Sequence, residues 1–348
     1  MERGERELEL FRACFARNSE RPRSIESLRW QYEGNPSGRL YVDVATADGG
    51  SRIAAIYATL PSFVLIGGRR RVCVQSLDTL TDTDYRGRGL FVKLAKQTFA
   101  RATADDVALV YGFPNGNSAH GFFKKLDWVA LDPVPFLIRP LRTGYFAGKL
   151  PKKVRPLASA LPDVRIGGNL PAPAPLGARI VELYSADPRM TGLWEDFARD
   201  VGVGVERDEA YLRWRIFDKP GEVYRTIAVE RGGRLDALCI FTLKDKHGGR
   251  VGYVMELLHR RGRGADARRL LRRAVNKLAR DGADAVLAWC LPHSPNASAY
   301  TWNGFLPMPE KLRPIELHFG ARAFDPSVAS VVGDRASWYL SYLDSDTV

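Results

Sequence analysis

VCVQSLDTLTDTDYRGRGLFVKLAKQTF, residues Val72 to Phe99, is the stretch on which the reading of this chain turns. It begins as an apolar run suited to a buried strand and passes through an Asp- and Thr-rich connection. It then turns through Arg86-Gly87-Arg88-Gly89 into an amphipathic helix. Leu90, Phe91, Leu94, Ala95, Thr98 and Phe99 recur at helical spacing on one face, and Lys93, Lys96, Gln97 and Arg101 take the other. A strand that feeds through glycines into a helix leaves several backbone N–H groups unpaired at the positive end of the helix dipole. That is a setting for phosphate.

Around this stretch the pattern alternates between strands and helices. Before it come helices over Glu5–Arg17 and from Ser24, then strand-like runs at Leu40–Thr46, Ile53–Leu60, Phe63–Ile66 and Arg71–Thr79. The apolar run Ile53–Ile66 is too short to span a bilayer, and Thr59, Pro61 and Ser62 make it read as two strands around a turn. After the organising helix come a strand at Val107–Phe113, a short helix at Asn117–Lys125 and a last strand at Pro135–Arg139. From Gly144 to Gly177 the composition shifts to lysine, arginine and proline, ending PAPAP at Pro171–Pro175, as in a linker.

The second half repeats the first. Tyr211-Leu212-Arg213-Trp214 followed by Pro220 echoes Ser27-Leu28-Arg29-Trp30 followed by Pro36, and Arg261-Gly262-Arg263-Gly264 echoes the first turn. Strands at Tyr224–Glu230, Ala237–Leu243, Arg250–His259 and Ala285–Leu291 keep the same order. Each half is too long for a solenoid unit, so two like domains in tandem are expected: residues 1–143, a linker over 144–176, and 177–348. A length of 348 residues and 45% hydrophobic content support a core in each.

Net charge is +12, which favours an anionic partner such as a nucleotide cofactor or an acidic carrier protein. The helix Ala265–Arg280 concentrates that charge in Arg268, Arg269, Arg272, Arg273, Lys277 and Arg280. No aromatic interleaving or nucleic-acid motif accompanies them, so nucleic acid is not the expected partner. The charged start MERGERELEL is unlike a secretory signal. Cys14, Cys73, Cys239 and Cys290 are far apart without CxxC, so buried thiols in a reducing cytoplasm are expected. The five histidines form no metal-ligand spacing.

Both halves resemble the GNAT (Gcn5-related N-acetyltransferase) superfamily. The resemblance rests on Arg86-Gly87-Arg88-Gly89-Leu90-Phe91 and on Asn117-Ser118-Ala119 leading to Phe122-Phe123-Lys124-Lys125-Leu126-Asp127-Trp128, with a strand between the two. It covers most of residues 1–140 and, more weakly, 177–320. The turn lacks the third glycine of a dinucleotide fingerprint and the Gly-Lys-Ser/Thr of a P-loop. The resemblance implies an α+β fold, with two tandem domains, each a mostly antiparallel mixed sheet with helices on both faces. It also implies an acyl-CoA, most simply acetyl-CoA, held in the first domain. The backbone of Gly87, Arg88, Gly89 and Leu90 would hold the pyrophosphate, with Arg86 and Arg88 adding charge. Leu77, Thr79 and Leu80, on a strand splayed from its neighbour, would pair with the pantetheine amides. Asn117 would contact the cofactor or cap its helix.

Proton chemistry is harder to place. Asp78 is the best-placed carboxylate for a general base, with a structural hydrogen-bonding role as the alternative. Where many family members carry a tyrosine that protonates the thiolate, the first half has Phe123. The second half has Tyr300, an acid or a buried structural residue. Asp266 in the second turn would repel a pyrophosphate, which marks that copy as a degenerate site. The expected activity is acetyl transfer to a small-molecule amine such as an amino sugar or amino-acid derivative. Aminoacyl transfer from a charged tRNA, as in Fem-type enzymes, and a silent acyl-CoA-binding or scaffold protein are the alternatives.

Overall fold

A computed structural model describes residues 4–18, 23–147, 162–166, 171–313, 315–345 and 347. Most of the expected linker lies outside the described residues. In the first unit two helices, α1 (Glu5–Asn18) and α2 (Ile25–Tyr32), precede a meander of β1 (Tyr41–Ala47), β2 (Arg52–Ile66) and β3 (Arg69–Thr81). Ser24 caps α2 by accepting from the Ser27 amide at 3.0 Å. Helix α3 (Leu90–Ala104) crosses to β4 (Val107–Gly112), parallel to β3, and α4 (Gly116–Lys125), β5 (Val129–Ala130) and β6 (Phe136–Pro140) follow.

The second unit runs β7 (Arg179–Leu183), α5 (Arg189–Phe197), β8 (Val203–Val205) and α6 (Glu209–Leu212), which continues as a π-helical turn over Arg213–Phe217. Strands β9 (Arg225–Arg231), β10 (Arg234–Lys246) and β11 (Gly249–His259) form its meander. Then come α7 (Gly264–Arg280), β12 (Ala285–Trp289), α8 (Ala297–Trp302), β13 (Leu306–Pro307) and β14 (Gly320–Ala323).

The chain exchanges its last strands between the two sheets. The first sheet is ordered β1-β2-β3-β4-β14-β5, with β8 added to β2; the second is β13-β6-β12-β11-β10-β9-β7. Residues Phe136–Pro140, expected to end the first unit, instead pair with β12 through Trp289↔Phe136 to Ala285↔Pro140. In return β14 lies between β4 and β5. Each sheet is thus completed by the other half, a pairing between residues far apart in sequence that local pattern does not report.

The Ile53–Ile66 region corrects a second expectation: it is one strand of fifteen residues, Arg52–Ile66, without a turn. Pro61 is tolerated because of its neighbours. On one side it faces Val74 of β3; on the other, β1 has ended opposite Thr59 and β8 begins only opposite Val64. Its missing N–H falls in that gap, where no ladder bond is lost.

Four apolar clusters result. Helices α3 and α4 cover the outer face of the first sheet, and α7 and α8 the outer face of the second. Helices α1 and α2 cover part of the first sheet's other face. The largest core lies between the sheets and contains Trp338, Tyr339, Leu340, Tyr342 and Leu343 of the C-terminal segment, with Tyr342 stacked on Trp289 at 4.8 Å. The repeated Leu-Arg-Trp motif has its explanation here. Trp30 and Trp214 stack at 4.9 Å, and each indole N–H donates to the other tryptophan's carbonyl, at 2.7 and 2.8 Å. This reciprocal contact joins the two units around a local two-fold relation. All four cysteines are buried and free. Among the described residues no helix is long and apolar enough to cross a membrane.

Candidate functional site

Strands β3 and β4 stay together in parallel register from Val72↔Val107 to Ser76↔Gly112, and there they part. Strand β3 continues beside β2, with Ala58↔Leu77 and Ile56↔Leu80. The chain beyond β4 turns to a new partner: Asn115 bridges Leu317, and the His318 amide donates to Pro114 at 2.8 Å. Leu77, Thr79 and Leu80 therefore lie past the last β3–β4 pair, where β3 presents an edge to the gap.

A bulge sits at the same point. Asp78 and Thr79 together oppose Tyr57, and Asp78 adopts φ +49°, which re-aims its side chain out of the regular alternation. Its Oδ2 accepts from Gln31 at 2.8 Å, from the Tyr32 hydroxyl at 2.7 Å and from Arg23. Among the described residues its Oδ1 has no hydrogen-bond partner. The expected base is therefore held rigidly by α2 and the segment before it, with one oxygen left over.

The turn follows. Gly87 and Gly89 adopt φ +76° and +70°, and an added Cβ at either would meet nothing within 4 Å, so backbone conformation rather than crowding requires glycine here. Gly89 is the N-cap of α3 and supplies no side-chain cap; the first helical bond is Lys93 N–H to Gly89 at 3.1 Å. The amides of Leu90, Phe91 and Val92 have no intrahelical acceptor. Those of Gly87, Arg88 and Gly89 have none recorded among the described residues. Arg86 and Arg88 are exposed and held only by 3.4 Å bonds to Thr81 and Asp84 carbonyls, with Arg88 also over the Tyr85 ring at 5.0 Å. Buried Asp82 anchors the connection by pairing with Arg52 at 2.9 Å and Arg17 at 3.2 Å. Burial alone would raise its carboxyl, but the Arg52 hydrogen bonds hold it below its ordinary value. Uncapped amides, left-handed glycines and a free strand edge in one line fit a pyrophosphate followed by an amide-bearing chain.

The remaining expected residues are placed less favourably. Asn117 is exposed in the first turn of α4, and the cap is Asn115, which accepts from the Ser118 amide at 3.1 Å. Phe123 packs 6.2 Å from the His318 ring, and His318 hydrogen-bonds Asp132 at 2.8 Å. Tyr300 is buried in the outer core of the second unit, edge-on to Phe305 at 5.3 Å. Burial pushes its phenol well above the ordinary value. The two sheets and the core between them separate it from α3, so it is not brought to the first turn.

The second turn differs in geometry as well as in sequence. Only Gly262 is left-handed, at φ +74°, and α7 begins at Gly264 itself. Asp266 is buried and paired with Arg231 at 3.0 Å, so its charge is already answered rather than free to repel an anion. The gap between β11 and β12, whose pairing ends at Val254↔Ala288, is closed from within. Asn296 sits in it, its amide donating to the Leu257 carbonyl at 2.6 Å, past the last β11–β12 pair. Asn296 in the gap and the ion pair of Asp266 both distinguish this copy from the first.

Beside the site lies a cluster of buried charges whose pairing local sequence does not show. Arg207, fully buried, bridges Glu256 at 2.8 Å and Asp344 at 2.7 Å. Glu256 also accepts from the Leu257 amide and Ser341 hydroxyl, at 2.8 and 2.9 Å, and from Tyr339. Gln75, one residue before the end of the β3–β4 pairing, donates to the Asp344 carbonyl at 2.7 Å, so the C-terminal segment forms the floor beneath the gap. The hints in the sequence are Glu256 within the apolar run Tyr253–Leu258 and the mixture of acids and aromatics near the C-terminus.

The sequence of residues 4–130 matches the model of the acetyltransferase (GNAT) domain. The GNAT fold extends through the second unit. Saccharomyces cerevisiae N-myristoyltransferase with bound myristoyl-CoA superposes with a TM-score of 0.59 at 13% identity, over 92% of this chain and 80% of that one. A GCN5-related N-acetyltransferase from Anabaena variabilis gives 0.59 at 12% identity, over 91% and 69%. A probable N-acyltransferase from Enterococcus faecalis gives 0.60 at 12% identity, over 92% and 71%. No curated protein matches the chain by sequence. The chain thus shares the fold of these structures, two mixed-sheet GNAT-like units in an α+β arrangement, and its first unit is similar in sequence to the GNAT acetyltransferase domain.

Proposed function

We propose that this chain transfers an acyl group from coenzyme A to a primary amine, with the cofactor in the first unit and none in the second. The observation that carries the reading is the continuity of the Leu77–Leu80 edge, the gap beyond Ser76↔Gly112 and the uncapped amides from Gly87 to Val92. Acyl-CoA, when bound, supplies the activated carbonyl. In this reading Leu77, Thr79 and Leu80 pair with its amide-bearing arm and Gly87, Arg88, Gly89 and Leu90 hold its pyrophosphate, with Arg86 adding charge.

Asp78 takes the proton from the acceptor ammonium at Oδ1, while its three donors fix Oδ2. The amine nitrogen then bonds to the carbonyl carbon as the carbon–sulfur bond breaks, and the sulfur leaves as thiolate. With Phe123 at the usual acid position, water takes the second proton that the nitrogen loses in becoming an amide and passes it to the thiolate, which is a competent leaving group because thiols ionise near pH 8.5. The group transferred is read as acetyl, and the acceptor as a small amine such as an amino sugar or amino-acid derivative.

Release of free thiol from acetyl-, octanoyl- and myristoyl-CoA across a panel of small amines tests this. Amine-dependent release with acetyl-CoA, abolished by Gly89→Asp and strongly lowered by Asp78→Asn, is expected. Release only with long acyl chains would refute the acetyl reading, and no amine-dependent release with any donor would refute acyl transfer.

A further inference from the structure

Helix α7 carries arginines that the scheme above does not use. Arg268 and Arg272, one turn apart and half-buried, face the end of α8, where Trp302 stands 64% exposed. The Arg268 guanidinium lies over the Trp302 ring at 5.2 Å, and Arg272 donates only to the Asn303 side chain at 3.3 Å. Arg139 of the exchanged strand β6 completes the group. It lies against Gly304, whose Cβ, if present, would fall 2.4 Å from Nη1, and its buried Nε has no hydrogen-bond partner among the described residues. Burial and the neighbouring Arg272 push its guanidinium below the ordinary value. None of these three arginines has an acidic partner among the described residues, although most other half-buried arginines of this chain do, including Arg52, Arg71, Arg189 and Arg231.

An uncompensated, partly desolvated cluster of cations is unfavourable unless an anion completes it. Beside it is a cavity of about 300 Å³ lined by Ala265, Arg268, Arg269, Arg272 and Trp302, and closed on one side by Pro171 and Pro173. Guanidinium forks match phosphate oxygens, and an exposed indole beside them offers a stacking face for a flat ring. The proline wall and the cavity's size favour one small molecule over a polymer strand. The site lies along α7 and beside α8, away from the gap that Asn296 fills.

We infer that Arg268, Arg272 and Trp302, with the charge of Arg139 behind them, form a second, non-catalytic site for a phosphate ester bearing a flat ring, of the size of a nucleoside diphosphate. The site is independent of cofactor binding at α3, and the two readings fail separately.

ADP and inorganic pyrophosphate, titrated by calorimetry into three proteins, test it: the unaltered chain, Gly89→Asp, and Gly89→Asp with Arg268→Gln and Arg272→Gln. Thermal melting checks that each is folded. ADP should still bind Gly89→Asp, and the arginine substitutions should weaken it by about tenfold or more. Trp302→Leu in the Gly89→Asp background should weaken ADP but leave pyrophosphate unchanged. Loss of ADP binding on Gly89→Asp alone, or ADP binding indifferent to the arginines, would overturn the inference. So would an oligonucleotide that binds Gly89→Asp more tightly than ADP does.

Discussion

Arg207→Met asks whether the buried charges hold the C-terminal segment between the sheets. One cation and two carboxylates, all out of water, leave the cluster with one net negative charge, softened by donors from Ser341, Leu257 and Tyr339. Removing the guanidinium doubles that charge and sets Glu256 and Asp344 against each other. Deleting one partner of a buried pair costs about 3–5 kcal/mol, a large share of the roughly 5–15 kcal/mol that holds a domain. Urea unfolding followed by tryptophan fluorescence should therefore show a loss of about 4 kcal/mol at neutral pH.

The pH dependence has a definite sign. Burial already raises the Asp344 carboxyl above its ordinary value. A carboxyl raised in the folded state gains folded-state stability as pH falls, and without Arg207 the rise is larger. The deficit of the variant should narrow as pH falls from 7 toward about 4 and be greatest at neutral pH and above. Asp344→Asn is the control: it leaves Arg207 paired with Glu256 in a neutral cluster, and should cost less than about 1.5 kcal/mol. A near-neutral Arg207→Met with a costlier Asp344→Asn would show that packing of Tyr339 and Tyr342, not charge, retains the segment.

Other expectations follow from single observations. Trp30→Ala removes half of the reciprocal tryptophan contact and should cost about 3–5 kcal/mol in the same unfolding assay, with Trp214→Ala costing about as much. The two turns should respond oppositely to alanine. Gly89→Ala, in a left-handed conformation, should destabilise by about 1–2 kcal/mol, while Gly264→Ala, on helical backbone with open space around it, should stabilise by about 0.5 kcal/mol in thermal unfolding. Asp132 raises the His318 pKa above 6.5, chiefly by its hydrogen bond. The stability this contributes is complete below about pH 6 and lost as pH rises through the raised value, so His318→Gln should cost under about 1 kcal/mol at pH 6 and nothing measurable at pH 9.

The fold was largely legible where the signal was local. The Val72–Phe99 stretch showed its strand, turn and helix because apolar spacing and two left-handed glycines are properties of neighbouring residues. The repeat was legible too, although its Leu-Arg-Trp copies pointed to a common fold without revealing that Trp30 and Trp214 meet. Three features were hidden because they depend on distant partners. The exchange of β6 and β14 is invisible to periodicity. Pro61 reads as a break unless the gap between β1 and β8 is known. The Arg207 cluster draws on residues 49 and 137 positions away. In the candidate site, the glycines and Asp78 stand where they were expected, whereas Asn115 rather than Asn117 caps α4 and Tyr300 lies behind the second sheet. Asp266 was expected to repel an anion at the second turn, but it is paired with Arg231, and Asn296, which occupies the second gap, belongs to no turn motif.

The most direct test of the account is the stoichiometry and location of acetyl-CoA binding, measured by calorimetry on the intact chain. Asp tolerates left-handed backbone better than most residues, so Gly89→Asp should fold while placing a carboxylate at the uncapped amides. The tightest binding event should be one per chain, lost in Gly89→Asp and retained in Gly264→Asp; any weaker binding left in Gly89→Asp should be matched by ADP. Absence of binding to the unaltered chain, or binding lost only in Gly264→Asp, would contradict the assignment of the cofactor to the first unit.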